Sequence, residues 1–186
     1  YSMPVQTPIC DFGKKALPFE LKSTDNKIIS LDDIKGENGT LIMFICNHCP
    51  YVKAITKEIV EDCNELKKIG INSVAICSND FINYPEDSFD NMIKFSKDNQ
   101  FSFPYLQDET QKIAKIYDAV CTPDFFGYDK DLGLQYRGRL RELKNFIPVK
   151  DGESDLLKAM KQIAKTGKGP QDQIPSAGCG IKWKYD

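Results

Sequence analysis

Several features that would assign a chain to a broad functional class are missing from this 186-residue sequence. Its 25 basic and 27 acidic residues are mixed along the chain, without a basic block or a strongly acidic tail. This pattern argues against nucleic acid or an anionic membrane surface as the main partner. No apolar run approaches the roughly 20 residues that a membrane-spanning helix needs, so we expect a soluble protein.

The N-terminus also lacks the basic segment followed by an apolar segment that marks an export signal. We therefore expect a cytoplasmic protein whose natural start is Met3, with residues 1–2 a remnant in front of it. The sequence has no internal repeat and no low-complexity segment. With 41% hydrophobic and 28% charged residues, we expect one domain over residues 1–186 that ends in a linker-like tail over about residues 168–186.

Cysteine is too scarce for a disulfide-rich secreted scaffold, and the number of cysteines, seven, is odd. Some of them must therefore stay as thiols or react transiently. Cys63 lies on the apolar face of a predicted helix and Cys77 in a predicted strand, so both are expected in the core. Cys179 stands between two glycines in the tail, where either a contact with a neighbouring site or an inert role is open.

The order of the predicted elements indicates an α/β protein. Continuous apolar runs at residues 41–46 and 71–77 predict buried strands, and apolar residues every three or four positions predict a helix over residues 50–68. Further predicted elements are a hairpin over residues 19–31, helices over residues 86–99, 110–117 and 154–164, and strands at residues 125–128 and 134–138. Strands that alternate with helices and end in an antiparallel pair predict a mixed sheet flanked by helices.

The residues with the clearest chemistry are two cysteines, Cys46 and Cys49, which flank the only histidine, His48. Pro50 fits the first position of a helix and so places Cys49 at the N-cap, with Cys46 at the end of the preceding strand. An N-cap favours a thiolate, because free backbone donors and the helix dipole face it. Cys49 is therefore the better nucleophile candidate, and His48 can add positive charge or act as a base if it points toward the sulfur. The alternative is two packed thiols beneath a helix end, although an N-cap is usually partly exposed.

Four separated motifs then resemble one group of proteins. They lie at residues 46–53, 84–87, 122–126 and 178–183, cover nearly the whole chain, and are similar to a peroxiredoxin-like subgroup of the alkyl hydroperoxide reductase/thiol-specific antioxidant (AhpC/TSA) superfamily. The resemblance implies a thioredoxin-like three-layer sandwich, a mixed sheet flanked by helices, with an N-terminal β-hairpin and an insertion before the cis-proline loop.

The chain departs from the familiar motifs of these proteins at the cysteine pair. An alignment on Phe44 and Pro50 places Cys49 on the first thioredoxin cysteine and Val52 on the second, so the usual resolving cysteine is missing. The same alignment places Met43 where thioredoxin has a buried aspartate, which removes one proton acceptor. No threonine lies three residues before Cys46 or Cys49, so ordinary peroxidase chemistry loses its usual support.

The resemblance also implies further site residues. It makes the Thr122–Pro123 bond cis, with the Thr122 backbone able to pair with an extended thiol substrate. Loops at one edge of such a sheet bring residues 46–49, 78–80 and 122–123 together. Cys121 would then lie near the site, as the second candidate for a resolving thiol after Cys46. Asn79 and Asp80 either orient the substrate or simply close their own loop, and loop closure is the preferred interpretation.

These observations predict a thiol-disulfide oxidoreductase or a related thiol-dependent antioxidant enzyme that needs no bound cofactor. Its partners would be a protein or small-molecule thiol or disulfide, with a peroxide also open, and an external reductant. A metal-binding protein using Cys46, His48 and Cys49 is an alternative, although a structural zinc site needs four ligands. A redox-inert binding module on the same fold is another, since a fold does not dictate function.

Overall fold

The computed structural model of the protein describes residues 3–185, so the expected remnant at residues 1–2 lies outside the described residues. The strands are β1 (Val5–Gln6), β2 (Glu20–Ser23), β3 (Ile28–Ser30), β4 (Gly39–Phe44), β5 (Ile71–Cys77), β6 (Tyr105–Gln107), β7 (Cys121–Thr122), β8 (Asp124–Tyr128), β9 (Leu134–Tyr136), β10 (Leu143–Lys144), β11 (Ile147–Pro148) and β12 (Ala177–Gly180). The helices are α1 (Leu31–Ile34), α2 (Pro50–Lys53), α3 (Thr56–Lys68), α4 (Phe89–Asp98), α5 (Lys112–Tyr117) and α6 (Asp155–Thr166), and a 3₁₀ turn spans Pro85–Asp87. Among residues 3–185, no helix is long and apolar enough to span a membrane.

A seven-stranded mixed sheet forms the centre of the fold, in the order β3–β2–β6–β5–β4–β8–β9. β4 lies parallel to β5 and antiparallel to β8. Its side chains alternate between two buried clusters, with Leu41 and Met43 on one face of the sheet and Ile42 and Phe44 on the other. Full burial of such a side chain contributes about 1.5–3 kcal/mol each. The apolar run was therefore correctly interpreted as a buried central strand.

Helices cover both faces of this sheet. Apolar residues of α3 and α6 belong to the first cluster, whereas those of α1 and α5 belong to the second. The hairpin β2–β3 precedes the central strand, and α4, β6 and α5 separate β5 from the Thr122–Pro123 loop. This is the thioredoxin-like three-layer arrangement, with an N-terminal hairpin and an insertion, that the resemblance implies.

The helix that follows the cysteine pair is interrupted, although the sequence predicts one helix over residues 50–68. Ile55 separates α2 from α3 and has non-helical backbone angles (φ −119°, ψ 2°). The hydroxyl of Thr56 donates to the Val52 carbonyl oxygen at 2.7 Å. A threonine that bonds back to the preceding turn competes with the backbone ladder and bends a helix, which the apolar spacing alone does not reveal.

The C-terminal segment differs from the linker-like tail that we expected. Its residues Ala177–Gly180 form β12, which pairs with β1 on one side and with β7 on the other. The sequence-based expectation was wrong because two of these four residues are glycines, which are depleted in strands. Their strand conformation depends on partners that are distant in the sequence.

Candidate active site

The two cysteines lie between the end of β4 at Phe44 and the start of α2 at Pro50. Cys49 is the N-cap of α2 and Pro50 its first residue, as predicted. However, the Cys49 side chain makes no capping hydrogen bond to this short helix. The helix amides therefore do not hold the sulfur, in contrast to the prediction from the sequence. The sulfur instead contacts the loop that contains Thr122.

Thr122 contacts both cysteines of the pair. The Thr122 carbonyl oxygen lies 3.2 Å from the Cys49 sulfur, and the Thr122 hydroxyl lies 3.4 Å from the Cys46 sulfur. The Thr122–Pro123 peptide bond is cis. The predicted meeting of these two loops at one sheet edge is therefore confirmed.

Hydrogen bonds control the charge on the Cys49 sulfur. Donation from the Cys46 thiol is the largest effect and, with help from the Thr122 side chain and from Cys179, lowers the pKa of Cys49 to about 5 against the opposing effect of burial. The same hydrogen bond, together with burial and the charge of Asp87, raises the pKa of Cys46 well above its usual range. The Thr122 carbonyl opposes this decrease in the pKa of Cys49, because only a protonated Cys49 can donate a hydrogen bond to it. The pKa of Cys49 is therefore lowered and that of Cys46 raised, so ionisation is favoured at Cys49 over Cys46.

Cys49 is fully buried, with 0% of its surface exposed, although an N-cap was expected to be partly exposed. The physical reason is the position of β12, which packs against α2 and places Cys179 next to the cluster that contains Cys46 and Cys49. Cys179 itself is only half-buried. Burial and the adjacent Cys49 raise the pKa of Cys179 to about 12.

His48 contacts a carboxylate that we did not select from the sequence. Its Nδ1 atom lies 2.8 Å from Oδ2 of the fully buried Asp87, and its ring stacks on Tyr84 at an interplanar angle of 7°. The backbone N–H of Asn47 donates to the other Asp87 oxygen at 2.8 Å. Contact with Asp87 raises the pKa of His48. The Nδ1 atom thus faces Asp87, and the electrostatic effect of a charged imidazole still reaches Cys49.

The sequence patterns predict no role for Asp87, because its motif, residues 84–87, enters only through the resemblance. One signal was available: this motif closely follows the loop at residues 78–80, which was expected at the same sheet edge. The side-chain amide of Asn79 donates to Asp87 at 2.9 Å, and its oxygen accepts from the backbone N–H of Lys182. Asn79 therefore supports the His48–Asp87 pair and the C-terminal segment.

The remaining candidates have structural surroundings. Asp80 accepts hydrogen bonds from the side chain of Asn83 and the backbone N–H of Ile82, so it closes its own loop, as preferred above. Cys121 is buried, and its sulfur lies 3.6 Å from the Pro123 carbonyl oxygen. Burial raises the pKa of Cys121 far above its usual range. The thiols that lower the pKa of Cys49 are instead those of Cys46 and Cys179.

One set of donor atoms has the spacing of a metal site. The sulfur of Cys46, a ring nitrogen of His48 and a carboxylate oxygen of Asp87 all lie within 4.8 Å of one another. In the alternative based on the sequence, Cys49 is the third ligand beside Cys46 and His48. In the structure, Asp87 takes that position instead. Three protein ligands leave a fourth position open, as in catalytic zinc sites.

Comparison with known proteins now assigns the family. The model of the AhpC/TSA family matches residues 12–139, and the chain belongs to this family. Membership supports a thiol redox function in general terms. No curated protein matches the chain.

Solved structures with the same fold include two that span the whole chain. An uncharacterized conserved protein from Geobacillus kaustophilus is 43% identical, with a TM-score of 0.92 and coverage of 100% of this chain and 99% of that one. A hypothetical protein from Sinorhizobium meliloti 1021 is 31% identical, with a TM-score of 0.89 and full coverage of both chains. The thioredoxin domain of a thiol-disulfide oxidoreductase from Bacteroides vulgatus is 15% identical, with a TM-score of 0.58 over 72% of this chain and 89% of that one, which shows the fold alone.

Proposed function

We propose that the protein is a thiol-disulfide oxidoreductase, or a related thiol-dependent antioxidant enzyme, in which the Cys49 thiolate is the nucleophile. The observation that carries the proposal is the environment of one buried sulfur. The Cys49 sulfur lies 3.2 Å from the Thr122 carbonyl oxygen at the cis Thr122–Pro123 bond, and Cys46, Thr122 and Cys179 together lower the pKa of Cys49 to about 5. A thiolate so stabilised is both an available nucleophile at neutral pH and a good leaving group.

The chemistry follows from these contacts. The Cys49 thiolate attacks one sulfur of a disulfide, forms a mixed disulfide and releases the other sulfur as a thiolate. With a peroxide, it attacks an oxygen, becomes a sulfenic acid, and releases an alcohol or water after protonation. In both cases a second thiol completes the cycle with a disulfide on Cys49, and an external thiol reductant restores the dithiol.

His48 contributes charge near this sulfur. Because contact with Asp87 raises the pKa of His48, a larger fraction of the imidazole is protonated at neutral pH than for a free histidine. A positive imidazole favours the thiolate of the adjacent Cys49. Its side chain is 29% exposed, so it lies where solvent reaches the otherwise buried site.

The test is the alkylation rate of each cysteine as a function of pH, followed by peptide mass spectrometry. We expect Cys49 to react fastest and with the lowest midpoint. Cys63 and Cys77 are the internal controls, because burial raises the pKa of each to about 12. If either control reacts faster than Cys49 in the folded protein, or if Cys49→Ser retains disulfide or peroxide reduction, the proposal is wrong.

Metal binding is a second candidate, favoured by the clustering of Cys46, His48 and Asp87. Soft sulfur and imidazole ligands suit zinc. Metal analysis of protein purified without chelator, beside an Asp87→Asn variant, tests it. One equivalent of zinc that is lost in the variant supports a metal site, whereas metal-free protein with a reactive Cys49 excludes it.

A further inference from the structure

The C-terminal strand occupies the edge at which an extended substrate was expected to bind. β12 pairs antiparallel with β7, and its register places Cys179 opposite Thr122 and Gly180 opposite Cys121. On its other side β12 pairs with β1, where Gly178 lies opposite Val5. The protein thus presents its own cysteine-containing strand to the residue that contacts both Cys46 and Cys49.

This strand is held closely at both ends. A Cβ atom at Gly178 would lie only 2.0 Å from the Thr122 carbonyl oxygen, so glycine is needed for the approach. Before the strand, the Ser176 hydroxyl donates to the Pro123 carbonyl oxygen at 2.7 Å. After it, the backbone N–H of Lys182 donates to Asn79 at 2.9 Å. Cys179 is therefore fixed in place between two anchors.

The position of Cys179 relative to Cys49 completes the geometry. The Cys179 side chain packs against the buried cluster that contains Cys46 and Cys49. Its strand partner, Thr122, places its carbonyl oxygen 3.2 Å from the Cys49 sulfur. Cys49 and Cys46 are both fully buried, whereas Cys179 is half-buried. Of the thiols of Cys46 and Cys179, therefore, only that of Cys179 is open to solvent.

We propose that Cys179 is the resolving cysteine and that β12 is a built-in counterpart of an extended thiol substrate. This inference rests on the proposed function of Cys49 and extends it. After a peroxide has converted Cys49 to a sulfenic acid, the Cys179 sulfur attacks the Cys49 sulfur. The S–O bond breaks, an S–S bond forms, and the hydroxyl leaves as water with the proton from Cys179. After attack on a disulfide substrate, Cys179 instead displaces the remaining substrate thiol from Cys49.

Cys179 suits this role better than the two cysteines considered from the sequence. A Cys46–Cys49 bond would consume the thiol that donates to Cys49, and it would leave both sulfurs buried away from a reductant. Cys121 directs its sulfur to the Pro123 carbonyl oxygen. In a Cys49–Cys179 bond the partly exposed Cys179 sulfur is open to an external thiol, and Cys46 still stabilises Cys49 as the leaving group.

Disulfide mapping of protein treated with one equivalent of hydrogen peroxide tests the proposal, with Cys179→Ser as the variant. Cys10→Ser is the matched control, because Cys10 is also half-buried but lies in the other apolar cluster. We expect an intrachain Cys49–Cys179 bond in the wild type and the control. In Cys179→Ser, dimedone should trap a Cys49 sulfenic acid, and disulfide formation should slow more than about tenfold, since a thiol of high effective concentration is lost.

The other outcomes separate the two proposals. A Cys46–Cys49 bond that forms equally fast in the wild type and in Cys179→Ser overturns the role of Cys179 but leaves Cys49 as the nucleophile. So does a Cys49–Cys179 bond found only between two chains. A Cys49 that is neither oxidised nor alkylated in any variant overturns both proposals.

A pair of glycine variants tests the placement of the strand without removing a thiol. In Gly178→Ala the new methyl group collides with Thr122, whereas in Gly180→Ala it lies 3.5 Å from the Val5 side chain, an ordinary contact. We expect Gly178→Ala to lower the yield of the Cys49–Cys179 bond and to speed alkylation of Cys49, with Gly180→Ala close to the wild type. Far-UV circular dichroism verifies that both variants fold. Equal bond yields in the two folded variants would refute the proposed dependence on β12.

Discussion

Replacing Cys46 by alanine removes the hydrogen-bond donor that contributes most to the low pKa of Cys49. A hydrogen bond to a charged group contributes about 1.5–3 kcal/mol. At 1.36 kcal/mol per pKa unit, its loss should raise the pKa of Cys49 by about 1 to 2. From the present value of about 5, the midpoint of Cys49 reactivity should then move to about pH 6–7. At pH 6 the thiolate fraction should fall by about two- to tenfold.

The assay is the alkylation rate of Cys49 against pH, measured by peptide mass spectrometry on folded protein. The midpoint is the readout, because a thiolate of higher pKa is intrinsically more nucleophilic and its limiting rate can increase. Cys46→Ser retains a hydroxyl donor and should lie between the wild type and Cys46→Ala. Cys63→Ala, which removes a buried thiol elsewhere in the same apolar cluster, should keep the wild-type midpoint.

The midpoint decides whether this explanation of the Cys49 thiolate is correct. An unchanged midpoint in a folded Cys46→Ala would show that the Cys46 thiol does not stabilise Cys49. An equal increase in the pH midpoint of Cys49 alkylation in Cys46→Ala and in Cys63→Ala would attribute the effect to general loosening of the core instead of to the hydrogen bond.

Three further predictions concern charge. His48, as the only histidine, gives an unambiguous NMR titration, and Asp87→Asn should lower its midpoint; an equal or higher midpoint would exclude Asp87 as the cause of the raised pKa. Because the pKa of Cys49 is lower in the folded state, the unfolded state binds more protons between about pH 6 and 8. Chemical unfolding should therefore show that the stability of the wild type rises relative to that of Cys49→Ser by about 1.4 kcal/mol per pH unit over this range. Parallel curves of stability against pH for the two proteins would contradict a folded-state thiolate. Glu58→Gln leaves the buried Arg141 without its charged partner and should lower the free energy of unfolding by about 3–5 kcal/mol. Lys68→Ala breaks the exposed pair with Glu65 and should lower it by less than about 1 kcal/mol. Equal losses of stability in the two variants would refute the argument from burial.

Local signals in the sequence predicted much of the fold. Pro50 correctly indicated the start of α2, and the apolar run at residues 71–77 coincides with β5. Ser154 caps α6 by accepting from the Leu157 N–H, and Gly167 ends it at φ 76°, both as the residue types suggest. Each of these features depends on a few adjacent residues, so the sequence alone carries the information.

The surroundings of the Cys49 sulfur could not be predicted in the same way. The burial of Cys49 depends on β12, whose glycines have low strand propensity, and on β7 and β1, which hold it. These contacts join segments that are far apart in the sequence. Local patterns do not contain that information, so the sequence suggested a partly exposed nucleophile beside an unstructured tail.

The position of the buried carboxylate shows how the site departs from the thioredoxin pattern. Met43 takes the place of the expected aspartate, and from the sequence this removes a proton acceptor from the site. The structure nevertheless contains a fully buried carboxylate at the site, Asp87, which enters from the 3₁₀ turn before α4. Its charge acts on Cys46, and its contact with His48 raises the pKa of that histidine. Because a negative Asp87 disfavours ionisation of Cys46, it helps to keep Cys46 protonated as the donor to Cys49. A carboxylate on this side of the site therefore favours ionisation of Cys49 over that of Cys46 indirectly, through the thiol and the imidazole beside it.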